Sequence, residues 1–175
     1  MRAPAAALHP PLLAALGITP EHLAGRALAA HAEATELVLA ERNAAGREFL
    51  LTPATAAAWA AMKHAAAQDG LALLLVSAFR SIERQAEIIR AKLAAGCSLD
   101  EILAASAPPG FSEHHSGRAI DIGTPESEAL EECFEHTPAF TWLQRRAAEF
   151  GFRLSYPRGN AEGFVYEPWH WCLQP

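Results

Sequence analysis

The chain has 175 residues, about half of them apolar, a formal net charge of −6 and no run of Lys or Arg. That length suits one domain with a real core, and the acidic balance leaves no surplus of cations to neutralise phosphates, so nucleic acid is not expected as a partner. No stretch approaches the ~20 apolar residues needed to cross a bilayer, and membrane insertion is not expected either.

Cys97, Cys133 and Cys172 match no zinc-ribbon or CxxC spacing and read as reduced, inert thiols. Arg2 is followed by a segment broken by Pro4, His9, Pro10 and Pro11, a poor secretory leader, so the default expectation is a cytoplasmic monomer. One domain is expected over residues 1–175, with 1–52 as an N-terminal helix and hairpin extension.

Thr19-Pro20-Glu21 reads as a capped helix start with Pro20 at the first helical position, and the Ala-rich run predicts helix to about Glu33. Thr35 to Glu41 and Arg47 to Leu51 flank the turn cluster Asn43-Ala44-Ala45-Gly46 and predict a β-hairpin. Thr52-Pro53 repeats the cap-plus-proline signal and opens a helix that stops near Asp69-Gly70. Leu71 to Ala78 is a continuous apolar run, expected to be a strand buried on both faces that delivers Arg80 to a sheet edge.

From Ser81, Ile82, Ala86, Ile89 and Leu93 recur at helical spacing up to Gly96. Ser98 with Glu101 is a capping box for a further short helix. Beyond the loop Pro108-Pro109-Gly110, Arg118 to Ile122 alternates like a half-buried strand. Thr137-Pro138 starts an amphipathic helix ended by Gly151, and Phe152 to Tyr156 and Phe164 to Leu173 are expected as strands. Helices and strands mix without a βαβ rhythm, which points to an α+β domain built on a small, mostly antiparallel sheet with flanking helices.

Two stretches concentrate metal-competent side chains: Ser112 to Asp121, containing His114 and His115, and Glu167-Pro168-Trp169-His170-Trp171. Histidine and aspartate are the ligand types of hydrolytic zinc sites, in which three protein ligands leave one position open for water. On a straight strand His115 would share a face with Asp121; a bend at Ser116-Gly117 would favour His114 instead, and spacing leaves both open. Pro168 biases Glu167 toward an extended conformation, and a turn after it would bring Glu167 and His170 to one locus. His9, His22, His31, His64 and His136 have no partners at ligand spacing and read as structural or solvated; His115 reads as a neighbour of the site or an exposed residue.

The pattern Ser112-x-His114-x-x-Gly117-x-Ala119-x-Asp121, followed by Glu167-x-Trp169-His170, resembles the zinc D,D-carboxypeptidases of the VanY type, whose scaffold also houses D-Ala-D-Ala dipeptidases. The resemblance includes Ser77-x-x-Arg80-Ser81-x-x-x-Gln85 and Tyr156-Pro157, and covers roughly residues 70 to 172. It implies a hedgehog/DD-peptidase-like fold, Zn2+ held by His114, Asp121 and His170, and Glu167 as general base. It also implies Arg80 beside the metal, holding a substrate carboxylate or the developing oxyanion, with Gln85, Ser112 and Trp169 as substrate-binding residues. The implied substrate is a peptidoglycan-derived peptide ending in D-Ala-D-Ala.

One departure stands out: where the family continues from the last histidine with an aromatic residue and then Arg, this chain has Trp171 and Cys172. Rival readings are a D-Ala-D-Ala dipeptidase or a peptidoglycan endopeptidase on the same scaffold, and a non-catalytic zinc-binding module.

Overall fold

The computed structural model describes residues 9–175, in which helices mix with antiparallel sheet. The leader reading rests partly on Arg2 and Pro4, which lie outside the described residues. The prolines that interrupt that segment begin a helix, α1 (Pro10–Ala15), with Pro at its first positions, where a missing N–H leaves no bond unmade. A second helix opens at Thr19-Pro20 as expected, but α2 covers only Pro20–Leu23 and does not run to Glu33.

The reason for the early stop lies outside the segment. Gly25 turns at φ +74°, and the Ala-rich residues beyond it give their N–H groups to distant carbonyls: Ala27 to Ala161, His31 to Gly110, Ala34 to His115. Alanine's helical preference is at most ~1 kcal/mol per residue. It loses here to tertiary bonds and to packing of Leu28 and Ala30.

The hairpin forms as read: β1 (Val38–Arg42) pairs antiparallel with β2 (Glu48–Leu51), and the Asn43 side chain accepts from the Ala45 and Arg47 N–H groups to close the turn. Phe49 and Leu51 of β2 pack into one core with Trp59, Met62 and Ala66 of α3 (Pro53–Gln68), a helix capped by the Thr52 hydroxyl.

The main sheet has the order β3-β4-β6-β5, all antiparallel, with β3 Leu74–Ser77, β4 Ala119–Gly123, β5 Phe152–Leu154 and β6 His170–Leu173. Two burial expectations are reversed. The β3 strand lies at an edge and exposes Leu74 by 42%, so only one of its faces is buried. The β4 strand, expected half-buried, is buried at all five positions because Ile120 and Ile122 pack into the core on one face while His114 and His170 close over Asp121 on the other. Its alternation separates the core side chains Ile120 and Ile122 from Asp121 rather than core from solvent.

The strand expected over Phe164 to Leu173 exists only from His170. Pro168 has no N–H to give a ladder, and the His170 N–H turns back to Glu167 O, so residues 164–169 form a loop.

The helices α4 (Ile82–Ala94), α5 (Leu99–Ala105) and α6 (Pro138–Arg146) start at the caps Ser81, Ser98 and Thr137. A second core joins Leu13, Leu16 and Ile18 to Ala86, Ile89 and Ile102. Among the described residues no helix is long and apolar enough to cross a membrane.

Gly117 occupies a left-handed conformation, φ +65°, and a Cβ there would stand 3.1 Å from Leu37 and Thr52 side-chain carbons and 3.2 Å from Ala34 Cβ. Gly117→Ala is therefore expected to destabilise the fold by at least ~1–2 kcal/mol, read as a fall of several degrees in the thermal midpoint.

Candidate metal-binding site

Strand pairing places Asp121 directly opposite His170 on neighbouring strands. His114 arrives from a single 3-10 turn, Glu113–Ser116, which Ser112 caps by accepting the His114 N–H and which Gly117 ends. That bend decides the register between the two histidines. His114 Nε2 lies 3.2 Å from Asp121 Oδ2, and His170 Nδ1 lies 3.0 Å from Oδ1. The donor atoms of His114, Asp121 and His170 all lie within 4.8 Å of one another, and all three residues are buried.

These residues fit a metal ion of zinc's size. In a tetrahedral site with arms of ~2.0–2.2 Å, adjacent ligand atoms stand about 3.3–3.6 Å apart, a few tenths of an ångström beyond the observed N···O separations. Two imidazoles and one carboxylate leave a fourth position free. Cys172 is not in the donor group; burial pushes its thiol up to about 12, with Glu113 adding to the effect.

His170 is fixed from behind by a residue that sequence reasoning missed. Its Nε2 lies 3.0 Å from Glu113 Oε2, which also accepts the Ser155 hydroxyl. The signal was present, an acid between the capping serine and the first ligand, but a neighbour in sequence faces elsewhere on a tight turn and its target could not be read. His114 has no such partner: its Nδ1 is buried without one.

The charges follow from this packing. Burial disfavours a charged His170, yet hydrogen bonds to Asp121 and Glu113 outweigh it and raise the imidazole to about 10. Burial alone would raise Glu113, but the bonds from His170 and Ser155 bring it to about 2. Asp121 is held well below the usual carboxylate range, against its burial, by the two histidines. His114 is lowered, chiefly by burial.

Glu167 stands just outside the three donors, its Oε2 3.7 Å from His170 Nδ1. Its loop is held by a bond from the Glu167 N–H to Tyr156 O. Burial raises this carboxyl to about 7, with His170 opposing the shift.

Arg80, just beyond the end of β3, donates to Gln85 Oε1 at 2.9 Å and to Ser77 Oγ at 3.1 Å, both neutral. Gln85 also donates to Ala107 O at 2.7 Å and is 1% exposed, so it stands behind Arg80 and orients it, away from the cavity.

His115 is fully buried, which removes the exposed reading. Its Nε2 accepts from the Gly110 N–H at 3.1 Å, which leaves Nδ1 to donate to Arg80 O at 2.6 Å. Burial lowers it to about 4, and a neutral ring is what this donor-and-acceptor role requires. His31, read as structural or solvated, is half-buried, and the Glu113 carboxylate acts on it.

Arg80, Glu167, Ser112 and Trp169 line one cavity of about 430 Å³ together with the three donor residues. The Tyr156 ring lies 4.7 Å from that of His170 and walls the same space.

The sequence profile of the VanY family, D-alanyl-D-alanine carboxypeptidase, matches residues 48–175. A D-alanyl-D-alanine carboxypeptidase of Enterococcus faecalis is 32% identical over 117 residues, 61% of this chain and 42% of that protein. The matched part spans between 20% and 42% of the length of four curated relatives.

Among solved structures, the LdcB LD-carboxypeptidase is similar with a TM-score of 0.71 and 30% identity, over 81% of this chain and 69% of that one. VanYB in complex with D-alanine-D-alanine gives a TM-score of 0.62 and 27% identity, over 79% and 76%. A zinc(II) complex of a VanY D,D-pentapeptidase gives 0.60 and 27%, over 79% and 78%. With the profile covering well over half of its length, the chain belongs to the VanY D-alanyl-D-alanine carboxypeptidase family.

Proposed function

We propose that this chain is a zinc-dependent peptidase that releases the terminal D-alanine from peptidoglycan stem peptides ending in D-Ala-D-Ala. The observation that carries the reading is a buried carboxyl, Glu167, set 3.7 Å from a nitrogen of the three-donor group in the cavity that Arg80 also lines. The likeness to VanYB bound to D-alanine-D-alanine and to the zinc(II) complex supports it.

His114 Nε2, Asp121 and His170 Nδ1 would hold the zinc. Bound zinc lowers the pKa of a water to about 7 and polarises a carbonyl. Glu167 takes the proton of the attacking water and returns it to the leaving amine; a carboxyl raised to about 7 by burial is matched to that exchange. Arg80, whose hydrogen-bond partners are neutral, keeps its charge for the substrate carboxylate or the developing oxyanion. Ser112 and Trp169 shape the pocket wall.

A second reading, L,D-carboxypeptidase, is favoured by the TM-score of 0.71 to LdcB. A tetrapeptide ending in an L-centre followed by D-Ala, a pentapeptide ending in D-Ala-D-Ala and the free dipeptide, with products identified by mass spectrometry, separate these activities from dipeptidase action. A zinc-loaded protein that releases D-alanine from none of them points to a non-catalytic zinc-binding module.

Glu167→Gln is expected to keep stoichiometric zinc by elemental analysis and to lower kcat by ~10²–10⁴-fold; unchanged turnover would remove Glu167 from the mechanism. Metal loading at neutral pH is expected to displace about one proton, because the metal-free His170 is charged up to about pH 10 and must be neutral to bind. Calorimetry in buffers of different ionisation enthalpy reads that number, and zinc affinity should rise about tenfold per pH unit below the His170 pKa. Glu113→Gln removes the carboxylate that orients His170 and is expected to weaken zinc binding by ~10–100-fold, measured by chelator competition.

A further inference from the structure

Lys92 lies near the C-terminal end of α4 and lines the same cavity as the metal-site residues. Its Nζ donates to Ser106 Oγ at 2.8 Å. The other cations of α4 behave differently: Arg84 pairs with Glu87 and Arg90 with Glu83 on the exposed side of the helix. The remaining lysine, Lys63, pairs with Glu41. Among the described residues no carboxylate stands within 4.0 Å of Lys92. In an acidic chain, an ammonium that meets only a hydroxyl on a cavity wall has its charge available to a ligand.

The wall around it suits a peptide. Ile88, one turn earlier on α4, and Ala105 to Ala107 at the end of α5 supply apolar surface beside the ammonium. Lys92 and Glu167 line the same cavity, and the Lys92 charge acts on the Glu167 carboxyl. Along the helix axis Lys92 stands ~15 Å from the first residue of α4, the end that follows Arg80. Arg80 and Lys92 therefore reach the cavity from opposite ends of α4.

We infer that Lys92 and Ser106 form a second anionic subsite that selects stem peptides carrying a further free carboxylate upstream of the scissile bond. This rests on the peptidase reading, and it makes the preferred substrate an acidic stem rather than the free dipeptide. The ammonium acts as a point charge at the cavity edge, so the preference acts through KM and weakens as salt screens it.

The test compares two pentapeptides ending in D-Ala-D-Ala that differ only in whether the upstream acid is free or amidated. The zinc-loaded wild type is expected to favour the free acid about tenfold in kcat/KM, carried by KM. Lys92→Met should bring the two peptides level, and Lys92→Arg should keep the preference. A wild type indifferent to amidation, or an undiminished preference in Lys92→Met, overturns the subsite.

Turnover of neither peptide would sink the peptidase reading. The subsite is then decided by anisotropy titration of the same labelled peptides into zinc-loaded Glu167→Gln, with and without Lys92→Met. The same tenfold difference in Kd, lost with Lys92→Met, supports it; equal Kd values reject it.

Discussion

The site hangs on one carboxylate shared between two imidazoles. Asp121 turns one oxygen to His114 and the other to His170, and all three side chains are buried where water cannot screen them. An uncompensated charge in that position is costly, so the surroundings are built to answer it: Glu113 stands behind His170, and the Arg80 charge acts on Asp121 from the β3 side. Strand register brings Asp121 opposite His170, and a one-residue slip between β4 and β6 would send one of them to the opposite face. The pairing of β6 on both edges, with β4 and β5, resists such a slip.

Around that centre the supporting bonds run through main chain as much as side chain. The Arg80 N–H reaches His114 O while the Arg80 carbonyl accepts from the His115 ring, so the arginine main chain is tied both to the first metal-competent histidine and to its neighbour. The fully buried histidine beside the site serves this link rather than coordination. Cys172 places a neutral thiol beside Glu113, and that carboxylate is bonded to Ser155 and His170.

Much of this was legible in the letters, for physical reasons. Caps such as Thr52, Ser81, Ser98 and Thr137 act within one turn of chain, so the helix starts they mark came out where expected. Spacing leaves His114 and His115 both open, because which of them faces Asp121 turns on the conformation of Gly117, and the bend there puts His114 beside it. What stayed hidden was set by distant partners. The Ala-rich run after Leu23 gives up its helix to carbonyls more than seventy residues away. Glu113 is invisible as a partner of His170 until 57 positions of chain have folded back. Burial of both faces of β4 likewise depends on its neighbours and not on its own alternation.

The extended stretch after Gly25 has a further consequence for what counts as the working unit of this protein. It lies before residue 48, outside the portion that the family profile matches, yet it holds the Gly110 and His115 carbonyls at one side of the site and Ala161 at the other. The Arg26 guanidinium, bonded to Glu162 O and stacked 4.5 Å over the Phe164 ring, anchors the loop that ends in Glu167. A fragment trimmed to residues 48–175 would keep every reactive side chain and lose the belt that braces two of the loops carrying them, so the border of the profile match and the mechanical border do not coincide in this chain.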